Sequence, residues 1–215
     1  MNRSQLQRWC DDVGLAVGTE AWSRLERLLG LWRQYGRAIN LVGATEPEVL
    51  LEHVQEALQG VALVERASGG REVLWLDVGS GGGLPGLVVA AVREWEVILV
   101  EPRARRAAFL DLGLSSTGIG AARVIRGRWP VSTWNAKLSC ELESRFETMF
   151  VGLSSRATFP PENWLRAGLD AGISRGMVVC HVDSGVTEVA GEKPSSMVAG
   201  PRWSVLGFHV GLDPE

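Results

Sequence analysis

Leu74-Trp75-Leu76-Asp77-Val78-Gly79-Ser80-Gly81-Gly82-Gly83-Leu84-Pro85-Gly86 reads as a short apolar strand that runs into a glycine turn and then into the start of a helix. A buried strand, a glycine turn and a helix in succession are how α/β proteins hold nucleotide-like ligands. Glycine admits positive φ and lets a ligand lie against main-chain amides. The helix start adds unpaired N–H donors and the positive end of the dipole. Consecutive glycines beside an acid have no packing rationale, so the stretch is read as a ligand loop.

Upstream of it the chain reads as helical. Ser4 is the expected N-cap of a helix over 4–13 that carries Leu6, Trp9 and Cys10 on one face, and Thr19 is the expected cap of the next. Trp22, Leu25, Leu28, Leu29, Trp32 and Tyr35 recur at helical steps and form one apolar stripe, read as core. Thr45-Glu46-Pro47-Glu48 has the cap and early proline of a third helix, running to about Ala67. Downstream, apolar runs at 73–78, 97–100, 123–125, 148–151 and 176–181 alternate with helical patterns. The segment from Asp183 to Gly200 reads as a polar loop, and Trp203 to Val210 as a closing strand, paired antiparallel with a short one before it. Strands alternating with crossover helices imply an α/β fold with a doubly wound, mostly parallel Rossmann-like sheet. The division expected is a helical extension over 1–70 and a cofactor-binding domain over 71–215, packed as one compact unit.

A chain of 215 residues with 46% hydrophobic and 22% charged residues suits a globular domain with a sizeable core. Cys10, Cys140 and Cys180 are too far apart for a local metal cluster and too few for a disulfide framework, so they are read as reduced core thiols. The start lacks the pattern of a signal peptide, and no apolar run is long enough to span a bilayer, which points to the cytoplasm. A net charge of −3 gives no global attraction to nucleic acid, so such a partner must meet a local basic patch.

Asp77 to Gly83 fits D-x-G-x-G-x-G, the loop of S-adenosylmethionine (SAM) methyltransferases, while Gly81 to Gly86 also fits the dinucleotide fingerprint G-x-G-x-x-G. Glu101 ends the second strand, 20 positions after Gly81, where a carboxylate can accept both ribose hydroxyl protons. SAM and NAD both offer that ribose. Pro85 removes a donor from the helix start, which disfavours a pyrophosphate.

Several further segments accompany the loop: Asn40-Leu41, His53 on the third helix, the G-L-P-G ending at 83–86, Glu101-Pro102-Arg103-Ala104-Arg105-Arg106-Ala107-Ala108-Phe109-Leu110, and Ser155-Arg156-Ala157. With these the chain resembles the RsmG (GidB) family, bacterial methyltransferases that act on guanine N7 of small-subunit ribosomal RNA. The resemblance implies a SAM site at Gly79, Gly81, Leu84 and Glu101, with contacts from Arg128-Trp129-Pro130 and from Arg156. It makes Arg156 the candidate to orient the cofactor or the target base. Asn40, His53, Arg103, Arg105 and Arg106 are the candidate RNA contacts. The chain departs from the family pattern at Tyr35-Gly36, at Glu52, at Trp129-Pro130 and around Cys180-His181-Val182.

Guanine N7 carries a lone pair and no proton, so methylating it needs position and orientation rather than a general base. Arg103, Arg105, Arg106, Arg123, Arg126 and Arg128 are expected near the ligand side, where they can grip phosphates. Trp129 and Trp134 are read either as stacking platforms or as side chains buried against the sheet. The expectation is a cytoplasmic, monomeric, SAM-dependent methyltransferase acting on ribosomal RNA or the small ribosomal subunit, with no metal and no membrane partner. A methyltransferase with another acceptor, an NAD-dependent oxidoreductase and a non-catalytic SAM- or RNA-binding module are the alternatives.

Overall fold

Every residue of the strand Val73–Val78 is buried, as a central strand covered on both faces requires. In the computed structural model of the chain, which describes residues 2–36, 46–130, 136–200 and 202–211, this strand (β1) is an interior strand, third from one edge of a seven-stranded sheet. Three helices come first, α1 (Arg3–Asp12), α2 (Thr19–Tyr35) and α3 (Pro47–Ser68). After β1 follow α4 (Gly86–Val92), β2 (Glu96–Val100), α5 (Ala104–Thr117), β3 (Ala122–Ile125), α6 (Ala136–Thr148), β4 (Phe150–Ser155), α7 (Pro161–Leu169), β5 (Arg175–Asp183), β6 (Ser196–Ala199) and β7 (Trp203–Gly211).

The strand order is β3-β2-β1-β4-β5-β7-β6. β1 to β5 are mutually parallel, while β7 runs antiparallel to both β5 and β6. The order reverses between β1 and β4, where Asp77 stands opposite Ser154. That reversal is the place where open α/β sheets bind ligands, beyond the carboxyl ends of the strands.

The apolar stripe of α2 does what its spacing predicts: Trp22, Leu25, Leu28 and Trp32 are buried, and Leu29 and Tyr35 pack against the same core. That core is continuous from Leu6 through α3 to Trp75 in β1 and Val205 in β7. A second cluster, with Leu142, Phe146 and Trp164, fills the other face of the sheet. Across the first face, Arg93 joins α3 to the end of α4 through a two-pronged ion pair with Glu65, at 2.7 and 2.8 Å.

Several local expectations are corrected. Asn2, not Ser4, caps α1, exchanging hydrogen bonds with Gln5. Gly18 rather than Thr19 precedes α2, so Thr19 is a helical residue. Thr45 lies outside the described residues, and α3 starts at Pro47 after Glu46. The polar segment after β5 is not loop throughout. It contains a bridge between Val189 and Glu192 and the strand β6. Cys10 and Cys180 are buried, but Cys140 on α6 is exposed and is not a core thiol.

Gly86 opens α4 under the side chains of Leu99 and Asp77, and a Cβ there would overlap both. The variant Gly86→Ala is expected to lose about 1–3 kcal/mol of stability through overpacking. Urea denaturation measures this, and an unchanged midpoint would contradict the packing described.

Candidate functional site

The turn after β1 is built on Val100. Its carbonyl accepts the amides of Gly79 at 2.8 Å and Ser80 at 3.0 Å, which binds the turn to the end of β2. Gly79, Gly81 and Gly83 have φ of 74°, 55° and 84°, a left-handed conformation that side chains resist. Glu101 follows β2 directly and is buried. One of its oxygens accepts the Gly81 amide at 3.0 Å and the other accepts the Arg103 amide at 2.8 Å. Each carboxylate oxygen keeps a second acceptor position. The amides of Gly82 and Leu84 have no hydrogen-bond partner among the described residues. The expected elements of the ledge, Gly79, Gly81 and Glu101, therefore stand together, with Leu84 buried and joined to Pro85 by a cis bond.

The start of α4 is differently occupied. Gly86 donates to the Asp77 carboxylate at 3.2 Å. Leu87 donates to the Gly83 carbonyl, and Val88 and Val89 donate to the Pro85 carbonyl. Pro85 at the N-cap has no N–H, so the three donors left at this helix start, on Gly86, Leu87 and Val88, are all used within the chain. The other Asp77 oxygen accepts Ser154 Oγ–H at 2.9 Å, and Ser154 in turn accepts the Trp75 indole N–H at 2.9 Å. Burial pushes the Asp77 carboxyl above its ordinary range, against the hydrogen bonds from Ser154, Ser80 and Gly86.

The N-terminal helices reach this loop. Trp32 of α2 donates its indole N–H to the Gly82 carbonyl at 2.6 Å. From the turn after β4, Thr158 Oγ donates to the Gly79 carbonyl at 3.2 Å. Arg106 lies over the open side of the turn, with a guanidinium nitrogen 3.7 Å from where a Cβ on Gly81 would stand.

A second centre lies on the far side of that β4 turn, in a cleft of about 400 Å³ lined by Arg156, Phe159, His181 and Trp203 among others. Its charged anchor is Glu56 on α3, a side chain 2% exposed. Arg156 donates to one Glu56 oxygen at 2.9 Å, and His181 Nδ1 stands 2.9 Å from the other. A guanidinium nitrogen of Arg156 is 2.7 Å from His53 Nδ1, and the group rests 5.8 Å from the Trp203 ring centre. Burial opposes the charged form of Glu56, but its contacts with His181 and Arg156 overcome this and hold the carboxyl well below the usual range. Cys180 lines the same cleft, and burial pushes its thiol up to about 12, which leaves it inert.

Arg156 and His53 are therefore brought together, with Arg156 lining the cleft rather than the glycine ledge. Trp129 turns its edge to Trp164 at 6.1 Å, and Phe159 stacks on Trp164 at 5.9 Å. Arg128 and Pro130 flank Trp129 and are exposed. Arg103 and Arg105 are exposed, Arg103 as the N-cap residue of α5. Asn40 and Trp134 lie outside the described residues. The grouping of Arg123 with the ligand-side arginines is corrected. It pairs with Glu141 at 2.8 Å, and Arg145 binds Glu96 at 2.8 Å, a lattice at the amino ends of the strands. Among the described residues no group of three His, Cys, Asp or Glu side chains is arranged to hold a metal ion.

Glu56, Trp32 and Thr158 were not singled out by sequence as site residues. His53 and Glu56 stand one helical turn apart in a mostly buried helix, and a buried acid beside a histidine is the signal available for that pair.

A family model described as GidB, rRNA small subunit methyltransferase G, matches residues 21–133. The ribosomal RNA small subunit methyltransferase G of Sphingopyxis alaskensis is 34% identical over 157 residues, covering 70% of this chain and 64% of that protein. The protein of the same name from Rubrobacter xylanophilus is 30% identical over 210 residues, covering 95% of this chain and 78% of its own length. With the Bordetella avium relative the match covers 49% of that protein, so the chain spans about half to two thirds of the length of several relatives. An RNA methyltransferase from Salinibacter ruber, solved with S-adenosyl-L-homocysteine, shares the fold at a TM-score of 0.51 and 17% identity, covering 74% of this chain and 92% of that one.

The depressed Glu56 carboxyl has a consequence for stability. A group of this sign stabilises the fold above its unfolded value, about 4.3, and the contribution is lost as pH falls below that toward the folded value. The stability advantage of the wild type over Glu56→Gln is therefore expected to shrink as pH is lowered from about 6 to 3 in urea titrations. An advantage that stays constant across that range would contradict an ionised Glu56.

Proposed function

This chain belongs to the rRNA small subunit methyltransferase G family, and from that premise we propose that it transfers a methyl group from SAM to guanine N7 of small-subunit ribosomal RNA. The observation that carries the cofactor reading is the use of the α4 amides. A dinucleotide seats its pyrophosphate on free N–H groups at a helix start, and here Pro85 has none while Asp77, Gly83 and the Pro85 carbonyl take the three that remain. SAM has no phosphate and does not need them. The open acceptor positions on Glu101 suit the two hydroxyls of its ribose, and the amides of Gly82 and Leu84 suit its polar groups. When bound, SAM supplies an electrophilic methyl on a sulfonium.

The chain's own residues then have to orient and exclude rather than move protons, since guanine N7 needs no base. Trp32 holds Gly82, Thr158 holds Gly79, and Glu101 fixes Gly81, so the ledge is set before a ligand arrives. Arg103 and Arg105 stand exposed at the positive end of α5, where basic residues work against the dipole. Such a placement is explained by a polyanionic partner, here the phosphates of RNA. The same reading has the chain acting as a monomer in the cytoplasm. Among the described residues no helix is long and apolar enough to cross a membrane.

The test is transfer of radiolabelled methyl from SAM to small-subunit RNA from a strain lacking the endogenous enzyme. Label in that RNA at a guanine is the expected result, and none in either naked RNA or assembled subunits would refute the activity. Glu101→Ala is expected to weaken SAM binding by about 1.5–3 kcal/mol, as for a lost charge-assisted hydrogen bond, and an unchanged affinity would remove Glu101 from the site. Arg103→Ala with Arg105→Ala is expected to weaken RNA binding and flatten its salt dependence while SAM affinity holds. Equal loss of both would mean that these arginines support the fold.

A further inference from the structure

The cleft beside β4 and β5 has a polar floor that the glycine ledge does not use. Glu56 sits at its centre, facing Arg156 through one oxygen and His181 through the other. An arginine can only donate, so its 2.7 Å contact makes His53 Nδ1 an acceptor. The same accounting bears on His181. A Glu56 carboxylate with a guanidinium against it accepts on both oxygens, so His181 Nδ1 is the donor, and in the neutral ring Nε2 is then the acceptor.

That nitrogen is the anomaly of the cleft. The His181 side chain is 3% exposed, and its Nε2 is shielded from water without a hydrogen-bond partner among the described residues. Buried polar atoms are almost always paired, and an unpaired one is costly. The cleft around it suits a planar ring. Trp203 and Phe159 contribute aromatic surface, and its volume of about 400 Å³ lies within the usual range for small-molecule sites. One wall is formed by residues of the segment 183–188, exposed along its whole length, so the cleft can widen at little cost in buried contacts.

We infer that this cleft receives the acceptor base and that His181, oriented by Glu56, selects guanine over adenine by accepting a hydrogen bond from the N1–H edge of the ring. The inference rests on the methyltransferase reading and adds the place and the means of base choice. Adenine would bring the lone pair of its N1 against the lone pair of Nε2, a mismatch that a buried site refuses. N7 lies on the opposite edge of the purine and stays clear of His181. The turn after β4 borders both centres: Thr158 touches Gly79, while Arg156 and Phe159 line the cleft. Base and ledge thus share one wall.

The full chain, saturated with S-adenosylhomocysteine, is titrated by calorimetry with guanosine 5′-monophosphate and with adenosine 5′-monophosphate. The guanosine nucleotide is expected to bind about tenfold more tightly, the scale of one hydrogen bond. His181→Phe is expected to abolish that preference while S-adenosylhomocysteine affinity stays unchanged. Glu56→Gln provides the positioning test. The glutamine must keep its carbonyl toward Arg156, so its amide donates to His181 Nδ1 and the ring proton moves to Nε2. The preference then shrinks or reverses, and nitrogen NMR of the imidazole shows the protonated Nε2, which a merely structural role for Glu56 would not produce. Equal binding of the two nucleotides, binding of neither, or a preference that survives His181→Phe overturns the inference. A chain that takes the guanosine nucleotide selectively but never S-adenosylhomocysteine leaves the base site standing and refutes the methyltransferase reading instead.

Discussion

The buried carboxylate of Asp77 ties three elements at one point: its own strand β1, the neighbouring β4 through Ser154, and the start of α4 through Gly86. The cost of burying it, seen in the raised pKa of the carboxyl, is offset by those hydrogen bonds. Its consequence reaches the ligand. By taking the first amide of α4 it closes the place where a phosphate would sit, and it leaves the glycine turn and Glu101 to define what can bind. A cofactor with a ribose and no pyrophosphate is what remains compatible.

Around that point the molecule divides its work between two sides of the turn after β4. The ledge side is backbone: positive-φ glycines, free amides and one acid. The cleft side is side chains: Glu56 with Arg156 and His181, beside the rings of Phe159 and Trp203. The helices that precede the sheet serve both. α2 gives the indole N–H that holds Gly82, and α3 gives Glu56 and His53. They also share one apolar core with β1 and β7. Removing them would take away parts of both centres along with the core.

The sequence made the ledge readable because its information is local. A strand, a glycine turn and an acid at the end of the next strand sit within 28 positions, from Leu74 to Glu101. The cleft was not readable, because its contacts are not local: Glu56 meets Arg156 across 100 positions and His181 across 125. Arg123 was grouped with ligand-side cations by proximity in the chain. Glu141, 18 positions away, decides its place instead. Trp32 looked like core and is core, yet its one polar atom carries a role that apolar periodicity cannot express.

The central claim is that the ledge is made for a ribose-bearing sulfonium and closed to a pyrophosphate. Side-by-side calorimetric titration of the intact chain with SAM and with NADH tests it most directly. The account predicts saturable binding of SAM and none of NADH. Binding of NADH with SAM failing to bind would contradict it.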